Sequence, residues 1–136
     1  MKKILALLFL LVLTACDGEF KMSDVVGNWQ LISIDSQPAP KEVRGNQGVT
    51  LDIQEDGKFA GQAPVNRYFG QIKVNGKIIK IGPVGSTMMA GPPELMQAEQ
   101  DYFKALGEQI KSAKVESGKL VITAMDDKKL VFDRAK

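Results

Sequence analysis

Gly61-Gln62-Ala63-Pro64-Val65-Asn66-Arg67-Tyr68-Phe69-Gly70 lies mid-chain, between runs whose side chains alternate as in strands. Glycines at both ends allow backbone conformations or close approaches that a Cβ would forbid. Pro64 has no N–H, so an uninterrupted central ladder cannot pass through it. Asn66 is a residue type that tolerates the left-handed region and bonds its own backbone in turns. The stretch therefore reads as a corner between two strands.

Working outward, hairpin signals stand on both sides. Downstream, Gln71 to Val74 is a strand, Asn75-Gly76 is the strongest short turn signal in the chain, and Lys77 to Ile81 returns from it. Gly82-Pro83-Val84-Gly85 then breaks the ladder. Upstream, Val49, Leu51 and Ile53 alternate with Thr50, Asp52 and Gln54, and Asp56-Gly57 turns the chain into Lys58-Phe59-Ala60. Trp29 to Asp35 forms the first strand, followed by a proline- and glycine-bearing loop over 37–47. Pro92-Pro93 opens a helix, with Glu94 in its first turn. Leu95, Tyr102, Leu106 and Ile110 make its apolar face, and Gly107 weakens its last turn. The tail returns to strands at 113–116, 119–125 and 129–133, with turns at Ser117-Gly118 and Asp126-Asp127-Lys128. About eight short strands and one helix result, a mainly β (α+β) pattern. Short loops make the strands antiparallel neighbours, and a meander of this size curls or closes to hide its edges.

The first sixteen residues belong to a different logic. Lys2 and Lys3 precede an apolar run, Ile4 to Val12, too short to span a bilayer as a helix. Leu13-Thr14-Ala15-Cys16 then resembles the lipobox of bacterial lipoproteins, in which the cysteine is acylated and becomes the mature N-terminus. The alternative is an ordinary cleaved signal with an incidental cysteine. The lipobox reading divides the chain into a signal peptide (1–15), a lipidated tether (16–23) and a domain (24–136). It places the protein in the cell envelope, held to the membrane through Cys16 and facing the periplasm. Asp17 leans the location toward the inner membrane. Cys16 is the only cysteine, so no internal disulfide is available.

The whole chain carries 18 basic and 16 acidic residues. Loss of Lys2 and Lys3 with the signal leaves 16 of each, a balance that offers no overall basic stripe for nucleic acid. Histidine is absent, which removes the usual general base, the commonest metal ligand and the usual partner of a nucleophilic serine. No phosphate-cradling glycine motif or zinc spacing occurs. Paired acids such as Asp126-Asp127 and Glu55-Asp56 sit in turns, where a solvated loop explains them. The expectation is a protein without catalytic residues, metal or cofactor.

With these residues laid out, the chain resembles a META domain of the HslJ-like lipoprotein type. Gly27-Asn28-Trp29-Gln30-Leu31, Asp56-Gly57-Lys58-Phe59-Ala60-Gly61, Asn66-Arg67-Tyr68-Phe69-Gly70, Gly82-Pro83, Ser86-Thr87-Met88-Met89-Ala90, the helix with Glu99, Phe103, Ala105 and Leu106, and Gly118-Lys119-Leu120 carry the resemblance in order. It implies a small, partly open antiparallel β-barrel of about eight strands with one packed α-helix. It also implies a cysteine pair at the positions held here by Val65 and Gly91. A disulfide there would contribute roughly 2–4 kcal/mol, so its loss loosens the link between corner and helix.

Asn66, Arg67, Ser86, Thr87, Met88 and Met89 are the candidate binding residues. Arg67 offers a planar fork for carboxylate or phosphate. The structural alternative has Asn66 bonding backbone, Arg67 pairing with an acid or carbonyl, and Ser86-Thr87 capping a strand end. Met88, Met89 and Met96 read as core filling, or as the lining of an apolar crevice. The functional expectation is a non-enzymatic, lipid-anchored monomer that binds another envelope protein or supports the envelope under stress. Its alternative is a carrier holding a lipid or small apolar molecule between helix and barrel. A protease inhibitor would need an exposed rigid loop, for which 37–47 is the one candidate.

Overall fold

A computed structural model of the chain describes residues 19–40 and 48–136. The signal segment, Cys16, Asp17 and most of the 37–47 loop lie outside them. Ten strands and two helices follow in the order α1 (Met22–Val25), β1 (Gly27–Ile34), β2 (Gln37–Pro38), β3 (Thr50–Ile53), β4 (Lys58–Gln62), β5 (Arg67–Asn75), β6 (Ile78–Ile81), β7 (Gly85–Ser86), α2 (Pro93–Leu106), β8 (Gln109–Glu116), β9 (Lys119–Ala124) and β10 (Lys129–Arg134).

Every pairing is antiparallel. The path β10-β9-β8-β6-β5-β4-β3-β1 closes on itself, because β1 also pairs with β10, with Leu31 opposite Phe132. Eight strands thus form a ring, with β2 and β7 as two-residue additions to β1 and β5. The shortest seams of the ring are β6–β8, where Ile79–Ile110 and Lys80–Gln109 face each other, and β3–β4, where Asp52–Ala60 and Ile53–Phe59 do. Closure removes the exposed edges that an open meander would leave.

The turns follow the sequence with small offsets. Asn75 pairs with Ile78, so the central turn residues are Gly76-Lys77, with positive φ at Gly76 alone, the sign pattern of a type II′ turn. Ser117 and Gly118 both have positive φ, the type I′ pattern. Asp35-Ser36 makes a turn of that same sign pattern between β1 and β2. It has no glycine, which is why the sequence reads there as the end of a strand and the start of a loop.

Inward positions along the strands supply the core: Trp29, Leu31, Leu51, Ile53, Phe59, Tyr68, Ile79, Ile81, Leu120, Ile122, Leu130 and Phe132 are all buried. Each end of the ring is stoppered. At one end α1 places Val25 in the core, while Phe20 and Met22 pack against it. Phe20 and Met22, within the span assigned from sequence to the tether, thus contribute apolar side chains to the domain. At the other end α2 buries Tyr102, Ala105 and Leu106. Its face stops at Leu106 rather than running on to Ile110. Gly107 takes a φ of 64° and donates its N–H to Phe103 O, ending the helix, and Ile110 enters the core from β8 instead. A void amid Phe20, Leu51, Phe59, Ile81, Leu106 and Leu120 measures about 10 Å³, room for at most one water.

Tyr68 and Tyr102, the two tyrosines of the chain, meet in this core with hydroxyls 2.6 Å apart. Tyr68 donates to Thr50 O at 2.6 Å, so Tyr102 donates to Tyr68. Their rings pack edge to face, with centroids 5.6 Å apart. Burial is the main force holding both phenols above their usual range. A phenol whose folded value is raised stabilises the fold fully below the unfolded value, near 10, and that contribution is lost as pH climbs past it. Alkaline titration is therefore expected to give phenolate absorbance only together with loss of the circular dichroism of the fold. A phenolate signal near pH 10 from a still-folded chain would contradict this burial.

Candidate functional site

The stretch 61–70 is the corner between two strands, β4 and β5, folded as a hairpin. Gln62 pairs with Arg67, and Gly61 with Tyr68, leaving Ala63-Pro64-Val65-Asn66 as the turn. The glycines serve close approach: a Cβ on Gly61 would collide with Thr50 O, and one on Gly70 with the Phe59 ring. All four turn residues are buried. A buried turn leaves backbone N–H groups without water, and each needs an acceptor.

Glu99 supplies it from α2. Its Oε2 accepts from Val65 N–H and Asn66 N–H, both at 2.7 Å, and its Oε1 accepts from Asn66 Nδ2 at 2.7 Å. Glu99 is 7% exposed. Asn66 is used at every polar atom. Its carbonyl accepts from Ala63 N–H, and its Oδ1 accepts from Thr87 Oγ1 at 2.9 Å and Met89 N–H at 2.7 Å. Its Nδ2 also donates to Met89 O at 3.2 Å. Three segments distant in sequence are thereby locked together: the β4–β5 turn, the 87–89 segment and α2. The φ of Asn66 is not positive, so its side chain rather than its backbone tolerance is what the position uses.

The remaining candidates divide. Thr87 Oγ1 also accepts from Arg67 N–H at 3.1 Å, and Thr87 N–H donates to Arg67 O, which caps the start of β5. Ser86 sits opposite Tyr68 in β7. The Arg67 side chain, expected to pair with an acid or carbonyl, is exposed and has no such partner among the described residues. Met88 and Met89, expected as core filling or crevice lining, point outward at 94% and 54% exposure. The reason is the register: Asn66 holds the Met89 backbone on both sides, which turns its side chain out. Phe69, 61% exposed on the outer face of β5, lies over Gly85 of β7, where a Cβ would meet its ring at 2.6 Å. Phe69 had drawn no functional reading from the sequence; its alternation out of phase with buried Tyr68 and Ile72 was the available signal. Among the described residues no group of three His, Cys, Asp or Glu side chains is placed to hold a metal.

Val65 and Gly91 are in contact. A Cβ on Gly91 would stand 3.6 Å from that of Val65 and 3.0 Å from its methyls. The first distance lies within the disulfide range of about 3.5–4.5 Å. The site thus carries a van der Waals contact where the resemblance implied a crosslink.

Two measurements probe this assembly. Glu99→Ala strands two buried backbone amides, leaves Asn66 Nδ2 with Met89 O alone, and is expected to cost roughly 3 kcal/mol or more. Asn66→Ala should cost a similar amount, with the double variant far from additive; variants that melt like the parent would refute the locking role. Val65→Cys with Gly91→Cys should oxidise spontaneously and raise stability by roughly 2–4 kcal/mol, read as a higher melting temperature that falls on reduction.

Comparison with known proteins bears on the whole domain. No curated protein matches the sequence. A solved structure of a protein from Burkholderia xenovorans superposes with a TM-score of 0.65 at 22% identity, covering 81% of this chain and 82% of that one. A second solved structure gives a TM-score of 0.59 at 17% identity, covering 80% and 89%. At these identities the likeness is one of fold. The family model of the META domain matches residues 23–136, which take in all of α1 but its first residue, the ring, α2 and the Glu99–Asn66 lock, and the chain belongs to the META domain family.

Proposed function

We propose that this protein is a non-enzymatic, lipid-anchored component of the cell envelope that works by binding another protein through its outer surface. The observation that carries the reading is the filled barrel. A carrier needs an apolar channel, whereas among the described residues the void within the core measures about 10 Å³ and side chains from α1 and α2 close the two ends. Apolar surface appears outside instead, at Phe69, Met88 and Met89, on segments held rigid by Asn66 and Thr87. Arg67 extends from the same strand with its guanidinium unengaged among the described residues, a suitable rim for such a contact. The lipobox-like Leu13-Thr14-Ala15-Cys16 supports acylation at Cys16. Among the described residues no helix is long and apolar enough to cross a membrane, so attachment in this reading falls to the lipid.

Gentle extraction of the protein from membranes followed by mass spectrometry tests the reading. An acylated Cys16 and a co-purifying protein are expected. Phe69→Ser with Met88→Ser should cut recovery of that protein at least about tenfold, a hot-spot effect of about 1.4 kcal/mol or more, without lowering the melting temperature. Recovery of a non-covalent lipid and no protein would favour the carrier instead.

A further inference from the structure

The β5–β6 hairpin carries a feature that the partner-binding reading leaves unused. From Gln71 to Ile81 the chain has three lysines, Lys73, Lys77 and Lys80, and no acid. Lys73 and Lys80 stand directly opposite each other in the ladder. Like charges in that position destabilise a sheet, and none of the three lysines forms an ion pair among the described residues. Glu108 lines the same groove as Lys73 and Lys80 without closing a salt bridge to either. Around the turn, Val74 and Ile78 are 42% and 45% exposed. Val74 faces Ile79 across the hairpin and Ile78 faces Asn75, so the two apolar residues lie on opposite faces of its tip. The tip is thus basic and apolar together.

Its position in the ring adds the second observation. The β5–β6 and β8–β9 turns lie at the same end, because β6 runs antiparallel to β8 from Ile79 opposite Ile110. The ladder between them stops there, and the cleft beyond it is lined by Gly76, Lys77, Lys111 and Lys114 together with Glu19 and Phe20. Lys111 is engaged by Asp127 at 2.7 Å, whereas Lys77 and Lys114 have no ion pair among the described residues. Glu19 in the cleft, and Asp24 and Glu116 in the adjoining groove that Lys21 and Lys114 also line, are the acids beside these lysines. Glu19 is three residues from Cys16, a reach of at most roughly 11 Å. An acyl chain on Cys16 would therefore hold this end, and not the α2 end, against the bilayer.

We propose that the β5–β6 hairpin is a membrane-docking element: Lys73, Lys77 and Lys80 engage the anionic headgroups of the leaflet while Val74 and Ile78 enter its interface. This rests on the lipid-anchor reading above, and it fixes an orientation. The barrel stands with α1 toward the membrane and presents Phe69, Met88, Met89 and α2 to the periplasm. Lysines near an anionic surface gain from the potential there, and their stems cover apolar surface while the ammonium groups stay in the headgroups.

The test uses the acylated full-length chain on vesicles of phosphatidylcholine with or without phosphatidylglycerol. An environment-sensitive fluorophore is attached through Ile78→Cys, or through Met125→Cys in the β9–β10 turn at the opposite end. The position-78 label is expected to shift to an apolar emission on anionic vesicles only, and the position-125 label to stay aqueous. Each of Lys73→Gln, Lys77→Gln and Lys80→Gln should lower the docked-to-undocked ratio roughly fivefold, with the melting temperature of the free protein unchanged or higher. A chain that carries lipid and floats with the vesicles, yet keeps the position-78 label in water, overturns the docking face while leaving the anchor standing. A chain that carries no lipid and does not float overturns the anchor, and this orientation with it. Shielding of position 78 by an acidic protein but by neither vesicle type assigns the hairpin to a protein partner and overturns the proposal as well.

Discussion

One carboxylate decides how this barrel is closed. The β4–β5 turn is pushed inward by Pro64 and Val65, both buried, and a turn without water must find acceptors for its amides. Glu99 meets two of them and orients Asn66, whose amide in turn holds Thr87 and Met89. Without the carboxylate, the turn would have to come out to solvent or the helix would have to leave the barrel mouth. The position of α2, the course of the 87–89 segment and the exposure of Met88 and Met89 follow from it. In a chain that lacks a disulfide this network does the crosslinking, and it is made of bonds that are strong only while they stay dry.

The solid interior has a complementary consequence. Side chains from β3, β4, β5, β6, β8 and β9, the α1 end and α2 enclose a void of only about 10 Å³, so the fold gives its volume to packing. What can vary without disturbing the core is the outer face and the two ends. Phe69, Met88 and Met89 stand exposed beside the locked turn, and Val74 and Ile78 stand exposed among lysines at the tip of the β5–β6 hairpin.

Most of the architecture was legible because strand alternation and turn chemistry agree with each other. Leu51 and Ile53 face in while Asp52 faces out, and the Asp56-Gly57 and Ser117-Gly118 turns stand where the pairs stand. The sequence could not reveal Glu99 as a core residue. A glutamate among polar helix positions reads as solvated, and only the buried turn 33 residues earlier gives it a reason to go inside. Nor could helical spacing alone separate Ile110 from the α2 face, since the strand that follows Gly107 points the same residue inward by a different route. Met88 and Met89 were misplaced for a related reason: hydrophobicity argued for burial, and hydrogen bonds to the Asn66 side chain set the opposite orientation.

The pairing of β1 with β10 also sets the order in which the molecule can be finished. These two strands are about a hundred residues apart along the chain, and the ring stays open until they meet. Local hairpins join β3 to β4, β4 to β5, β5 to β6, β8 to β9 and β9 to β10, and the β1–β3 and β6–β8 pairings span longer connections, so β1–β10 closes the longest loop of all, whose entropic cost is met only at the end. A polypeptide threading across a membrane in sequence order would therefore remain an incomplete curl, with β1 and its Trp29 half covered, until the final strand had emerged. Assembly of this barrel is in that sense governed by its last six-residue strand.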